Sequence, residues 1–187
     1  MRDGAMMKWS NSPRRTAVAI AVCLLTFVGV GMSASSCLGE DELETFACPN
    51  KDVFIQNVSP FIERRCGTLD CHGQPTRPMR IYGQLGLRHP SEMNVSGGAP
   101  TTALEAESNY AAVCNLDPEA MKDSADTIGA SAEKLLLVNK MRGLERHKGG
   151  KAVVEQSAGD RCVLLWLKFK SDMDVSPECT KAVDQLK

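Results

Sequence analysis

Polar and apolar positions divide the 187 residues into blocks of different pattern. Thr16 to Met32 (TAVAIAVCLLTFVGVGM) is uncharged and mostly apolar, whereas residues 38–50 (LGEDELETFACPN) are polar and acidic. Short helical periods follow. Asp52 to Ile55 reads as a short extended or helical piece. Ser59-Pro60 predicts a helix start, with Ser as N-cap and Pro in the first helical position, running through Phe61 to Cys66. Residues 73–100 are rich in Gly, Pro and Arg without a sustained period, which predicts a long ordered loop. Thr101 or Thr102 caps a second helix to about Cys114, with Leu104, Tyr110, Ala111 and Cys114 on one side. Ser131 caps a third, Ala132 to Met141, ended by Gly143. Asp160 caps a fourth, Arg161 to Lys170; apolar on almost every face, it reads as the central core helix. Ser176-Pro177 starts a short last helix carrying Cys179. No run alternates as a strand does. The expected fold is mainly α: a small helical domain with long loops.

The N-terminal block changes the picture from a plain helical domain to an exported one. Lys8, Arg14 and Arg15 precede the apolar run, and Ser33-Ala34-Ser35-Ser36 follows it, the order of zones in a cleavable signal peptide. At about 17 residues the run is at the lower limit for spanning a bilayer, so an uncleaved anchor is the alternative. Ala34-Ser35-Ser36-Cys37 resembles a bacterial lipobox, with Ala34 where a leucine is usual, and Cys37 would become the lipidated first residue. The expected organisation is a signal peptide over 1–36, a lipid-anchored acidic tether over 37–50 and the folded domain over 51–187. The expected place is the cell envelope, on the periplasmic side or at the outer membrane, with the membrane as partner through the lipid. Ordinary cleavage would instead leave a soluble periplasmic or secreted form.

Loss of residues 1–36 removes four of the 22 Lys and Arg and one of the 23 Asp and Glu, leaving a net charge of −4. No basic face is implied and nucleic acid is not an expected partner. Cys23 lies in the apolar run. Cys48, Cys66, Cys71, Cys114, Cys162 and Cys179 fall in the remainder, and in an exported chain six cysteines can form three bridges in 15 connectivities.

Cys66-Gly67-Thr68-Leu69-Asp70-Cys71-His72-Gly73 is the constellation that can carry chemistry. A c-type haem needs two thiols for thioether bonds and a histidine directly after the second to ligate the iron. The common spacer has two residues and this one has four, so it must bulge; Gly67 and Asp70 are turn-tolerant residues that allow it. The competing reading is a local Cys66–Cys71 disulfide beside an ordinary His72. A bare metal site from Cys71, His72 and His147 is a third reading, weakened by the lack of a four-ligand set. No nucleophile elbow, His-Glu-x-x-His or phosphate loop is present, so no hydrolase chemistry is expected.

The motif and its surroundings resemble the cytochrome c-like domains of envelope lipoproteins of myxobacteria and planctomycetes. The likeness rests on Cys71-His72-Gly73, the loop around Met79-Arg80-Ile81-Tyr82-Gly83 and Gly86-Leu87-Arg88, Ser131 to Leu137, His147 to Gly150, and Asp160 to Trp166. It covers about residues 59–169. The resemblance implies a cytochrome c-like fold in which the helix before the motif packs across the C-terminal helix at Trp166. It implies covalent haem c on Cys66 and Cys71, His72 as iron ligand, and electron transfer with an envelope redox partner rather than substrate conversion. His147, in its glycine-flanked turn, is the expected distal ligand; Met141, Met79 and Met93 are thioether alternatives, and a five-coordinate iron is another. His89, beside Pro90, reads as exposed. With Cys66 and Cys71 on haem, Cys48, Cys114, Cys162 and Cys179 remain; Cys48–Cys179 would join the domain ends and Cys114–Cys162 the second and fourth helices. The alternative function is a haem-free, disulfide-stabilised envelope lipoprotein with an interaction or structural role.

Overall fold

A computed structural model describes residues 47–187. The predicted signal peptide and Cys37 lie outside the described residues. The folded part begins before residue 51: Pro49 is buried, and Asn50 caps the first helix by accepting the Val53 amide at 3.0 Å. That helix, α1 (Lys51–Val53), continues through a π turn, Phe54–Val58, into α2 (Ser59–Arg65). Ser59 is therefore no cap but a mid-helix residue. Pro60 lacks an amide proton and its ring crowds the carbonyl four residues back; the wider π turn just before it relieves both.

Helix α3 (Ala103–Cys114) is capped by Thr102, whose hydroxyl accepts the Glu105 amide while the Glu105 carboxylate accepts the Thr102 amide. Its buried face is Glu105, Ala106, Asn109, Val113 and Cys114, while Leu104 and Ala111 are exposed. The helix is rotated from the expected apolar stripe because Glu105 is drawn inside by Arg88, at 2.7 Å from Nε. Arg88 also donates to the carbonyls of Val95, Ala99 and Pro100, and so gives the long loop a buried post. Helix α4 (Pro118–Asp126) was not expected; only Met121 and Ser124 are buried, too little apolar pattern to read.

The expected third helix is broken. A 3-10 turn, Ala132–Lys134, ends at Leu135 in an extended conformation, and α5 (Leu136–Arg142) starts afresh before Gly143. Helix α6 (Ala158–Leu167) is capped by Ser157 rather than Asp160, and α7 (Asp172–Asp184) starts after Ser171 and carries Pro177 inside it. Asp160 is occupied elsewhere: both its carboxylate oxygens accept from Arg142, at 2.7 and 2.9 Å, which ties α5 to α6. Among the described residues there is no strand, only an isolated bridge between Tyr82 and Leu87. The fold is mainly helical with long connections, as expected.

The core forms where α6 meets α7 and the α1–α2 helix. Trp166 packs on Phe54 at 4.9 Å between ring centroids and on Tyr110 at 6.3 Å, and its Nε1 donates to the Asn50 carbonyl at 2.9 Å. Seven residues away on each helix, Gly159 lies against the Phe61 ring. The paired contacts run in opposite order, so the two helices are antiparallel here.

Two disulfides staple this core, Cys48–Cys114 and Cys162–Cys179. The expected pairings, Cys48–Cys179 and Cys114–Cys162, are both corrected. Consecutive antiparallel helices α6 and α7 bring Cys162 and Cys179 to 4.6 Å between Cα atoms. The entry segment instead lies on α3, where the Tyr110 hydroxyl donates to the Pro49 carbonyl at 3.0 Å, and this presents Cys48 to Cys114.

Candidate haem site

Cys66 closes α2, and the chain then turns back on itself through residues 67–73. The His72 amide donates to the Cys66 carbonyl at 2.8 Å, and the Cys71 and Gly73 amides donate to the Thr68 carbonyl. These bonds fold the four residues between Cys66 and Cys71 into a bulged turn. A side chain at Gly73 or Gly86 would collide with the Gly67 carbonyl, so glycine after His72 is a packing necessity of this turn. Arg77 steadies the turn from outside by donating to the carbonyls of Cys71 and Asp70.

Cys66 and Cys71 are both free thiols, half-buried, while the other four cysteines among the described residues are paired. The local Cys66–Cys71 bridge is not formed. Burial pushes the Cys66 thiol up to about 12, with Cys71 adding to the rise and Arg65 opposing it. Cys66 is thus held as the protonated thiol at neutral pH.

His72 Nδ1 lies 2.8 Å from the Met79 carbonyl oxygen. A carbonyl only accepts, so Nδ1 carries the proton and Nε2 keeps its lone pair in the neutral ring. Burial depresses the His72 pKa below 6.5; the Met79 hydrogen bond opposes the shift, and His147 and Arg77 add to it. His147 is arranged in the same way, with Nδ1 3.1 Å from the Gly150 carbonyl. Nδ1–H donated to a backbone carbonyl, with Nε2 left free, is the arrangement that orients a metal-ligating histidine. The two rings are 5.9 Å apart between centroids and 15° from parallel.

Two clefts share His72, Pro78 and His147. One, about 190 Å³, is apolar and lined by Cys66, Met79, Leu116, Leu136, Leu137 and Met141 among others. The second, about 250 Å³, is polar at its mouth, with Asp70, Cys71, Arg77 and Lys148. Each by itself is smaller than the usual cofactor pocket of about 300–1,000 Å³. The set fits a haem: a free thiol in each cleft, two oriented imidazoles between them, an apolar wall and a charged mouth. It does not fit a bare ion, because no cluster of three or more metal-ligating side chains occurs among the described residues; a porphyrin brings four nitrogens of its own.

Of the thioether alternatives, Met141 and Met79 are buried and line the apolar cleft, and Met93 is fully exposed and lines neither cleft. His89 is half-buried rather than exposed, with its ring 5.2 Å from Tyr82 and Nδ1 2.7 Å from the Ser91 hydroxyl; it lies in a separate groove. Sequence reasoning missed Leu116, Lys140 and Ala152 in the cleft wall and Arg77 behind the turn. None has a local signal, since Leu116 follows the last turn of α3 and Ala152 lies in an irregular segment.

No protein-family model, no curated protein and no solved structure matches this chain.

Proposed function

We propose that this chain holds a haem c covalently on Cys66 and Cys71, with His72 and His147 as iron ligands, and serves as an electron-transfer module of the cell envelope. The observation that carries the reading is one arrangement: two unpaired cysteines line the same pair of clefts as two stacked imidazoles 5.9 Å apart between centroids, each with Nδ1 against a backbone carbonyl. Bound haem supplies one-electron chemistry; the protein sets ligation, orientation and access to solvent. Met79 fixes the tautomer of His72, Gly150 that of His147, and Leu116, Leu136, Leu137 and Met141 keep water from one side.

Export is part of the reading. Signal residues 1–36 and a lipidated Cys37 would deliver the domain to the compartment where disulfides persist, and the Cys48–Cys114 and Cys162–Cys179 bridges support such a compartment. No helix among the described residues is long and apolar enough to cross a membrane.

Expression of the full chain with export and c-type maturation machinery tests the reading. A covalent haem on a denaturing gel and a c-type reduced pyridine spectrum are expected. A colourless protein from cells that mature a control cytochrome would leave the haem-free envelope lipoprotein as the function.

A further inference from the structure

The chain enters the described fold along α3. Cys48 is bonded to Cys114, the Pro49 carbonyl accepts from the Tyr110 hydroxyl at 3.0 Å, and Lys51 pairs with Glu107 at 3.2 Å. Entry segment and helix therefore run antiparallel, and the residues before Cys48 set out from the C-terminal end of α3. A groove of about 550 Å³ opens beside that end. Ser108, Ala111 and Asn115, successive turns of one helix face, form one wall, and Arg80, Tyr82 and His89 form the other. No carboxylate lines the groove, and the exposed Arg80 has no ion-pair partner among the described residues. Glu107, beside Ser108 in the chain, is held by Lys51. The Ser91 amide donates to His89 Nδ1 at 3.3 Å, so in the neutral ring Nε2 carries the proton and offers a second donor. Met79 and Leu116 give the groove an apolar part, which it shares with the apolar cleft.

We propose that the acidic segment 38–46 of this same chain docks in the groove. Its sequence, LGEDELETF, carries Glu40, Asp41, Glu42 and Glu44 for Arg80 and the His89 N–H, and Leu43 and Phe46 for Ala111, Leu116 and Met79. The reach is sufficient: positions 108 to 116 span about 12 Å along the helix axis, and segment 38–46 extends to roughly 30 Å. Attachment through Cys48, two residues on, gives the segment a high effective concentration at the groove, so individually weak contacts suffice. Docked there, Phe46 would cover the outer side of the Met79 and Leu116 wall and shield the apolar cleft from solvent. It would also hold the domain against its anchor. That last consequence rests on lipidation of Cys37; the contact itself rests on neither lipid nor haem.

Backbone amide shifts and amide hydrogen exchange are measured on the full exported chain and on E40Q/D41N/E42Q/E44Q, with haem content scored separately by pyridine spectrum. Expected are shifts at Arg80, Tyr82 and His89, which are remote in sequence from the substitutions. In the unaltered chain the amides of residues 40–46 should exchange at least about tenfold more slowly than in Arg80→Glu, and this protection should fall between roughly 20 and 200 mM salt. Arg80 is exposed and outside the core, so its substitution leaves the fold in place. A synthetic peptide of residues 38–46 should bind the quadruple variant and not the unaltered chain, whose groove is filled. Lys170→Glu, on a segment that lines no part of the groove, should change none of these. Unmoved resonances at Arg80, Tyr82 and His89, or exchange indifferent to Arg80→Glu, overturn the proposal. So does equal peptide binding by both chains, which would make the groove an open site for another partner. Shifts that grow with protein concentration also overturn it, because the segment would then come from a second copy.

Discussion

His72 and His147, 75 positions apart in the chain, stand 5.9 Å apart between ring centroids with planes 15° from parallel. Each has its Nδ1 against a backbone carbonyl, of Met79 and Gly150 respectively. In the haem-loaded protein, His147→Ala should convert a six-coordinate low-spin spectrum to one lacking the second imidazole, while covalent haem is retained. An unchanged spectrum would remove His147 as ligand and turn attention to Met141 and Met79 in the apolar wall.

The haem-free chain should lose stability as the pH falls below about 6.5. Burial depresses the His72 pKa, so between its folded value and 6.5 the unfolded chain binds more protons and unfolding is favoured by acid. Glu63 acts with the opposite sign in its own window: burial raises it above 4.5, against hydrogen bonds from Thr101 and Ser59, so its contribution is lost as pH rises through the folded value. Urea unfolding at pH 5 and 7.5 checks the first effect. His72→Gln should flatten the difference, and an unaltered difference would place its origin elsewhere.

Arg88→Met should cost about 3–5 kcal/mol, because it leaves the fully buried Glu105 carboxylate without its cation. Burial works to raise the Glu105 carboxyl, but hydrogen bonds from Arg88, Thr102 and His89 outweigh it and hold it below the ordinary value. The paired replacement R88M/E105L should recover much of the loss in denaturant titrations. Equal loss in the single and double variants would mean that Arg88 acts through the loop carbonyls of Val95, Ala99 and Pro100 instead.

Removing the Cys48–Cys114 bridge should destabilise more than removing Cys162–Cys179. Their sequence separations are 66 and 17, and the loop-closure entropy they take from the unfolded chain is worth about 4 and about 3 kcal/mol. Paired Cys→Ser variants in chemical denaturation measure the difference, and a non-reducing peptide map reads the connectivity directly.

Gly159→Ala should lower stability by about 1–3 kcal/mol through overpacking, since the new methyl would strike the Phe61 ring where α6 meets α2. Phe61→Leu in the same chain should restore part of it. A neutral Gly159→Ala would show that the helices can separate at this point.

Elements with strong local signals were legible from the residues alone. A cap at Thr101 or Thr102 was readable by residue type, with Thr102 the one that caps, and the apolar run around Trp166 read as core and is buried. Starts that depend on distant partners were misplaced. Asp160 is as good a cap as Ser157 by type, but its carboxylate is held by Arg142 from α5; Ser59 is a good cap by type, but Asn50 had already started the helix. The cleft wall was the least legible part, because Leu116, Ala152 and Met79 come from three unrelated segments.

By itself the sequence determined the helical class and the placing of His72 directly after the second of two cysteines, because these depend on residue type and short spacing; it left open whether Cys66 and Cys71 bridge. The partners came only with the tertiary structure. Cys48 was given Cys114 by the entry segment lying on α3, and Cys162 was given Cys179 by two consecutive antiparallel helices. His147 was brought to His72 by a loop with no periodic signal of its own. Contacts across 75 positions follow from how the whole core packs, which no local pattern of residues encodes.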